Sequence, residues 1–190
     1  PNIDPESVRR LVTPQTRAIV VVHYGGAACD MDAIMAIAAE HDLVVIEDAA
    51  QAVEAFHQDQ PLGSIGHLAT LSFHETKNLS SGEGGALIVN DTQFAERAEL
   101  LWEKGTNRAS FRRKEVDRYC WVDVGSSFLP SDIVAAMLCA QFEAVEEITR
   151  ERKKAWQYYL DSLADFSATT GIGLPKMPPN ANHNGCLLYT

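Results

Sequence analysis

Basic residues are in the minority in this chain. Its 190 residues carry 16 Lys and Arg against 26 Asp and Glu, a formal net charge of −10. A nucleic-acid surface needs a basic footprint, so that class of partner is not expected. The densest basic cluster is Arg108, Arg112, Arg113 and Lys114, which reads as a solvated loop on an acidic chain. No apolar run approaches the roughly 20 residues that span a bilayer. The start, Pro1-Asn2-Ile3-Asp4, shows no basic region leading into an apolar stretch, so no signal peptide is expected. The four cysteines, Cys29, Cys120, Cys139 and Cys186, are widely spaced and form no C-x-x-C pair. That usage fits a reduced, cytoplasmic protein. His183 and Cys186 together offer only two metal ligands, and no metal site is expected. A dinucleotide-binding fold needs G-x-G-x-x-G between a strand and a helix. The first candidate turn reads His23-Tyr24-Gly25-Gly26-Ala27-Ala28-Cys29 and does not fit.

What the chain has is an ordinary globular make-up, with 46% hydrophobic and 22% charged residues. Asp4-Pro5-Glu6-Ser7 is a helix start, with a capping oxygen followed by proline at the first helical position. Ala18 to Val22 is a continuous apolar run of the kind found in covered parallel sheets. Asp30 can cap a helix through Glu40, and Leu43 to Ile46 is the next strand. This strand–helix–strand order predicts a βαβ unit. Further strands are predicted at Leu68 to Phe73 and at Ala86 to Val89, with a helix capped by Asp91 from Thr92 to Lys104. The stretch from Thr106 to Ser127 shows no clean period. Two helices are expected from Ser131 to about Ile148 and on to about Leu163. Pro175, Pro178 and Pro179 mark a linker. Both ends read as cut, the last residues Leu187 to Thr190 resembling a strand just begun. The expected organisation is a partial large domain over residues 1–165, then a linker and the start of a smaller domain over 166–190.

The chemistry gathers where strands end. Asp48 closes the Val44-Val45-Ile46-Glu47 run, and Lys77 follows the Leu68–Phe73 strand, 29 residues on (77 − 48). In open α/β sheets, ligands sit in the crevice outside the carboxyl ends of the strands. An amine and a carboxylate there are what a pyridoxal phosphate enzyme needs. The lysine forms the Schiff base, and the acid keeps the ring nitrogen protonated so that the ring can take up electrons. Glu47 should face the opposite side of the strand from Asp48 and is the weaker candidate for the ring. Gly82, Gly84 and Gly85 would let the backbone approach a ligand closely. Ser72 could donate its hydroxyl to the cofactor phosphate. His23 and His74 follow strands as well, and either could touch a substrate or serve as a structural hydrogen-bonding group. His41, His57 and His67 read as surface or helix-end residues.

Three segments carry a more specific resemblance. Glu47-Asp48-Ala49-Ala50-Gln51, Leu71-Ser72-Phe73-His74-Glu75-Thr76-Lys77-Asn78 and Gly82-Glu83-Gly84-Gly85-Ala86 together resemble the DegT/DnrJ/EryC1/StrS sugar aminotransferases. The likeness runs from about Thr16 to Leu163. It implies an α/β fold, the large domain of fold type I pyridoxal phosphate enzymes, with a mostly parallel sheet between helices. It implies pyridoxal 5′-phosphate as cofactor and a homodimer with active sites shared between subunits. It makes Lys77 the Schiff-base lysine, Asp48 the partner of the ring nitrogen, Gln51 a contact beside the ring and Ser72 a phosphate donor. Ser127 stands where many relatives carry an asparagine that reaches the partner subunit's phosphate. The implied reaction moves an amino group from glutamate to C4 of a 4-keto-6-deoxy sugar nucleotide. Lys104-Gly105-Thr106-Asn107-Arg108 and Trp121 to Leu129 point to dTDP-linked sugars within the family. Related sugar dehydratases carry histidine in place of the lysine, so Lys77 selects amino transfer. The competing readings are a different sugar specificity, or a truncated module of this fold that binds without catalysing.

Overall fold

The computed structural model describes residues 2–187. The strand suggested at the extreme C-terminus falls on residues 188–190, outside the described residues. The first helix, α1 (Pro5–Leu11), begins where Asp4 accepts hydrogen bonds from the amides of Glu6 and Ser7, with proline at the first position. Strand β1 (Ala18–Val22) follows. Asp30 then caps α2 (Met31–His41) by accepting from the Ala33 amide, and Asp42 closes it in a left-handed conformation. Strand β2 (Val44–Asp48) pairs with β1 in parallel, completing the expected βαβ unit. A small hairpin of β3 (Phe56–His57) and β4 (Gln60–Pro61) leads to β5 (Leu68–Ser72) and β6 (Gly85–Val89).

The main sheet has the order β1-β2-β5-β6. Its first three strands run parallel, and β6 runs antiparallel to β5. One face is packed. Ile19, Val21 and Val45 from the strands meet Met31, Ile34 and Ile37 of α2, all buried. Apolar residues at helical spacing on α2 thus cover alternate residues of β1 and β2. The other face carries Val20, Val22 and Leu87, each more than 40% exposed. Asp48 and Ser72 belong to this second face, because the alternation that buries Val45 and Glu47 turns their neighbours outward.

The second half is helical. Asp91 accepts from the Gln93 amide, and a short 3₁₀ turn there leads into α3 (Ala95–Trp102). This helix stops at Trp102, just short of the predicted Lys104, and Lys104 and Gly105 both take positive φ. The 106–127 stretch contains one short helix, α4 (Arg108–Arg112), which its lack of period did not announce. Ser131 caps α5 (Asp132–Glu143), and α6 (Val145–Ser162) follows after a break at Ala144. The break falls before the predicted Ile148, at a residue with no glycine or proline beside it, and nothing in the local sequence explains it. After α7 (Ala164–Thr170), the chain returns to the first half. Its last strand, β7 (Ala181–Asn182), pairs with β3.

Ile34 of α2 is fully buried in the apolar cluster that joins this helix to β1 and β2. Ile34→Ala should lower stability by about 2–5 kcal/mol, through lost burial and an unfilled cavity. Urea unfolding of the purified protein measures this; a change below about 1 kcal/mol would mean that the helix does not depend on that contact.

Candidate active site

Two adjacent acids at the end of β2 divide the work. Glu47 points into the packed side and is fully buried. Its Oε1 accepts from the amides of Ile65 (2.8 Å) and Gly66 (2.6 Å). Its Oε2 accepts from the Gly63 amide (2.8 Å) and lies 2.9 Å from His23 Nε2. His23 Nδ1 accepts from the Cys29 amide, 3.2 Å away. The ring proton therefore sits on Nε2 and is donated to Glu47. A buried charge is tolerable only when its lone pairs are met, and here they are met by four donors. Burial pushes the Glu47 carboxyl up; the His23 bond and the three amides outweigh it and hold the group below the ordinary carboxylate range. This unit ties the end of β1 and the 63–66 loop to β2.

His23, offered by the sequence as a substrate contact, is therefore a structural residue. It is fully buried, both ring nitrogens are engaged, and it presents no surface to a sugar. His57 and His67 also differ from their surface reading. His57 is buried, and His67 Nδ1 accepts from the Val45 amide across the sheet edge.

Asp48 is half-buried on the open face. One of its oxygens accepts from the Ala50 amide (3.1 Å), an Asx turn that orients the carboxylate at the strand end. Among the described residues its second oxygen has no hydrogen-bond partner. Gln51, three residues on, accepts from the Gly25 amide through Oε1 (2.6 Å) and so joins the loops that follow β2 and β1. Ser72 lies at the end of the neighbouring strand, on the same face as Asp48. Its hydroxyl oxygen is 3.4 Å from the His74 amide, a weak contact that leaves it available.

Lys77 lies in the turn after β5. Its amide donates to the His74 carbonyl (2.9 Å), and the residue is half-buried. His74 accepts from the Thr76 amide through Nδ1 (3.2 Å), while its Nε2 faces the exposed Glu83 at 3.7 Å. It stays at the surface, unlike His23. In the glycine run that follows, Gly85 is sterically required: a Cβ there would lie 2.9 Å from the Leu71 carbonyl, so β6 could not close on β5. Ser127 stands apart. It is exposed, its backbone bridges to Glu103, and no hydrogen bond joins it to Asp48, Ser72 or Lys77 among the described residues.

The structure thus brings Asp48, Gln51, Ser72, His74 and Lys77 to one end of the sheet, and leaves His23 inside and Ser127 elsewhere. Sequence reasoning understated Glu47. The signal was present in the Glu-Asp pair at a strand end, where alternation sends one acid inward and the other outward.

A carboxylate and an amine at neighbouring strand ends of a mostly parallel sheet are the arrangement of a fold type I pyridoxal phosphate enzyme. The chain belongs to the DegT/DnrJ/EryC1/StrS aminotransferase family, which it matches over residues 1–190. It is 38% identical over 185 residues to the spore coat polysaccharide biosynthesis protein SpsC of Bacillus subtilis, covering 96% of this chain and 47% of that protein. It is 38% identical over 163 residues to the GDP-perosamine synthase of Caulobacter vibrioides, covering 86% and 42%. Among solved structures, an aminotransferase from Psychrobacter cryohalolentis superposes with a TM-score of 0.87 at 32% identity, over 97% of this chain and 49% of that one. The chain spans about half the length of these relatives.

The family's cofactor is pyridoxal 5′-phosphate. The residues present suit it. Asp48 offers an uncommitted carboxylate oxygen to a ring nitrogen, Ser72 a hydroxyl to a phosphate, and Lys77 an amine to an aldehyde. When bound, the cofactor supplies an electron sink for breaking bonds at an amino-bearing carbon.

Because Glu47 is held below its ordinary value of 4.5, its contribution to stability is complete above that pH and is lost as pH falls through the folded value. Glu47→Gln should cost about 2 kcal/mol or more near neutrality, since an amide must replace an acceptor facing N–H groups. Its stability should also fall less steeply on acidification than that of the parent. Urea melts from about pH 6 down to pH 3 read both quantities; a variant with the parent's midpoint and acid slope would remove Glu47 from this role.

Proposed function

We propose that the full-length protein is a sugar-nucleotide aminotransferase. It loads its cofactor with the amino group of glutamate and delivers that group to C4 of a 4-keto-6-deoxy sugar nucleotide. The observation that carries this reading is that Asp48 ends β2 while Lys77 lies in the turn that follows β5, the parallel neighbour of β2. Family membership and the polysaccharide and GDP-sugar names of the relatives support the substrate class. In this reading Lys77 anchors the cofactor and, once displaced, carries the proton between the amino-bearing carbon and the cofactor. Asp48 holds the ring nitrogen protonated, Gln51 lies beside the ring and Ser72 donates to the phosphate. His74, half-buried in the same turn, contacts the sugar nucleotide in this reading.

The finer assignment is to a dTDP-4-amino-4,6-dideoxygalactose transaminase, feeding surface polysaccharide of the enterobacterial common antigen type. Its support is the likeness of Lys104–Arg108 and Trp121–Leu129 to that enzyme. The same reading takes the protein to be a cytoplasmic homodimer, in which Ser127 reaches the cofactor phosphate held by the partner subunit. A GDP-linked substrate is the second reading, favoured by the 38% identity to the GDP-perosamine synthase.

The full-length protein should be yellow and should fix its cofactor covalently on borohydride treatment. Lys77→Ala should lose that fixation, and a variant that keeps it would refute the lysine's role. Asp48→Asn should retain the fold and lose at least about 100-fold in turnover; near-parental turnover would release Asp48 from the ring nitrogen. Amine transfer to dTDP-4-keto-6-deoxyglucose should outpace transfer to the GDP and UDP counterparts in a single-turnover assay from the glutamate-loaded enzyme. Preference for the GDP sugar would establish the second reading, and transfer to none of the three would refute the substrate class.

A further inference from the structure

The segment that follows β7 returns to the site from more than 100 residues away in sequence. Its key residue is Asn184, which is fully buried. The Asn184 side-chain amide donates to the carbonyls of Gln51 (2.9 Å) and Val53 (2.7 Å). Its side-chain oxygen accepts from the Cys186 amide (3.1 Å). Its main-chain carbonyl accepts from Asn78 Nδ2 (3.0 Å), the residue directly after Lys77. The same side chain presses on Gly26, where a Cβ would lie 2.1 Å from Asn184 Oδ1 and where φ is +77°. One asparagine therefore touches the loops that follow β1, β2 and β5.

The segment is itself held from outside. β7 pairs with β3, and the Gln58 amide donates to the Asn180 carbonyl. Lys153 of α6 donates to Asn182, and the Trp156 ring lies 4.3 Å from that of His183. Trp156 Nε1 also donates to the Leu187 carbonyl. Asn184 is thus fixed on its own side before it reaches the three loops. An amide suits the place because it offers two donors to two carbonyls and still accepts from an amide. Aspartate would set a carboxylate against those carbonyls.

We infer that Asn184 is a positioning residue of the active site, holding the Gln51 loop and the Lys77 turn at a set spacing beside Asp48. The inference rests on the cofactor assignment proposed above. It predicts that Asn184 acts on both loops together, although it contacts no reacting atom. Loss of its hydrogen bonds should loosen both loops and leave the β1–β2 core intact.

The test uses the full-length protein in its cofactor-free and cofactor-loaded forms, as parent, Asn184→Asp and Asn78→Ala. In Asn184→Asp the bonds donated to Gln51 and Val53 are replaced by repulsion, which displaces residue 184 and with it the carbonyl that Asn78 uses. Hydrogen exchange of the cofactor-free protein should quicken about tenfold or more at residues 51–53 and also rise at 76–79, with β1 and β2 at parental rates. Affinity for pyridoxal phosphate should fall about tenfold in the same variant. Asn78→Ala, which cuts only the bond on the lysine side, should quicken exchange at 76–79 alone. Parental exchange at both loops in Asn184→Asp would overturn the inference. So would uniform acceleration across the whole chain, which marks an ordinary core residue. Should Asn184→Asp fail to fold, Asn78→Ala decides: parental exchange and affinity there would overturn the link to the lysine turn. The exchange measurement needs no cofactor, so a failure of the cofactor assignment, seen as retained borohydride fixation in Lys77→Ala, is read separately.

Discussion

The buried carboxylate of Glu47 is the interaction on which the rest of the site depends. A charge with no exposure is costly unless every lone pair is met, and Glu47 meets them with His23 and three amides of the 63–66 loop. That requirement sets the path of the loop. It also fixes His23 in one tautomer at the end of β1. An apolar residue at position 47 would leave those amides without a partner. The strand end that carries Asp48 is therefore braced from beneath.

Alternation along β2 then separates structure from chemistry. Successive strand residues face opposite sides, so Glu47 and Asp48 cannot share a role. One acid is surrounded by donors and serves the fold. Its neighbour keeps an oxygen available on the open face. The same parity places Ser72 on the face of Asp48 and sends Phe73 inward, where its ring meets Phe142 of α5 edge-on. Lys77 follows at the turn, and the C-terminal segment joins that turn to the Gln51 loop through Asn184. The site is an assembly of strand-end loops, each held by a contact distant in sequence.

Much of this was legible in the residues. Asp4, Asp30 and Asp91 each cap a helix or helical turn where their side chains predicted one, because capping is a local hydrogen bond between near neighbours. The apolar runs of β1, β2, β5 and β6 became strands. Asp48 and Lys77 stood out through chemistry and motif, without any contact being known. The reading failed where a role depends on burial. His57 is buried and His67 is half-buried with its Nδ1 engaged, where a surface position was expected, and for His23 the sequence left the substrate and structural roles open. No local pattern tells a buried hydrogen-bonding imidazole from an exposed one. The division of α5 from α6 at Ala144 and the short helix α4 likewise carry no local signal.

By itself the sequence determined the four main strands, the longer helices, several caps and the family, since these rest on periodicity, near-neighbour bonds and motif spacing. Only the tertiary structure decided which groups lie inside and which strand ends stand together. It made Glu47 a brace, withdrew His23 from the surface, and set Asn184 against three loops at once. Those outcomes depend on partners 16 to 133 residues away along the chain, and no short window of sequence contains both members of such a pair.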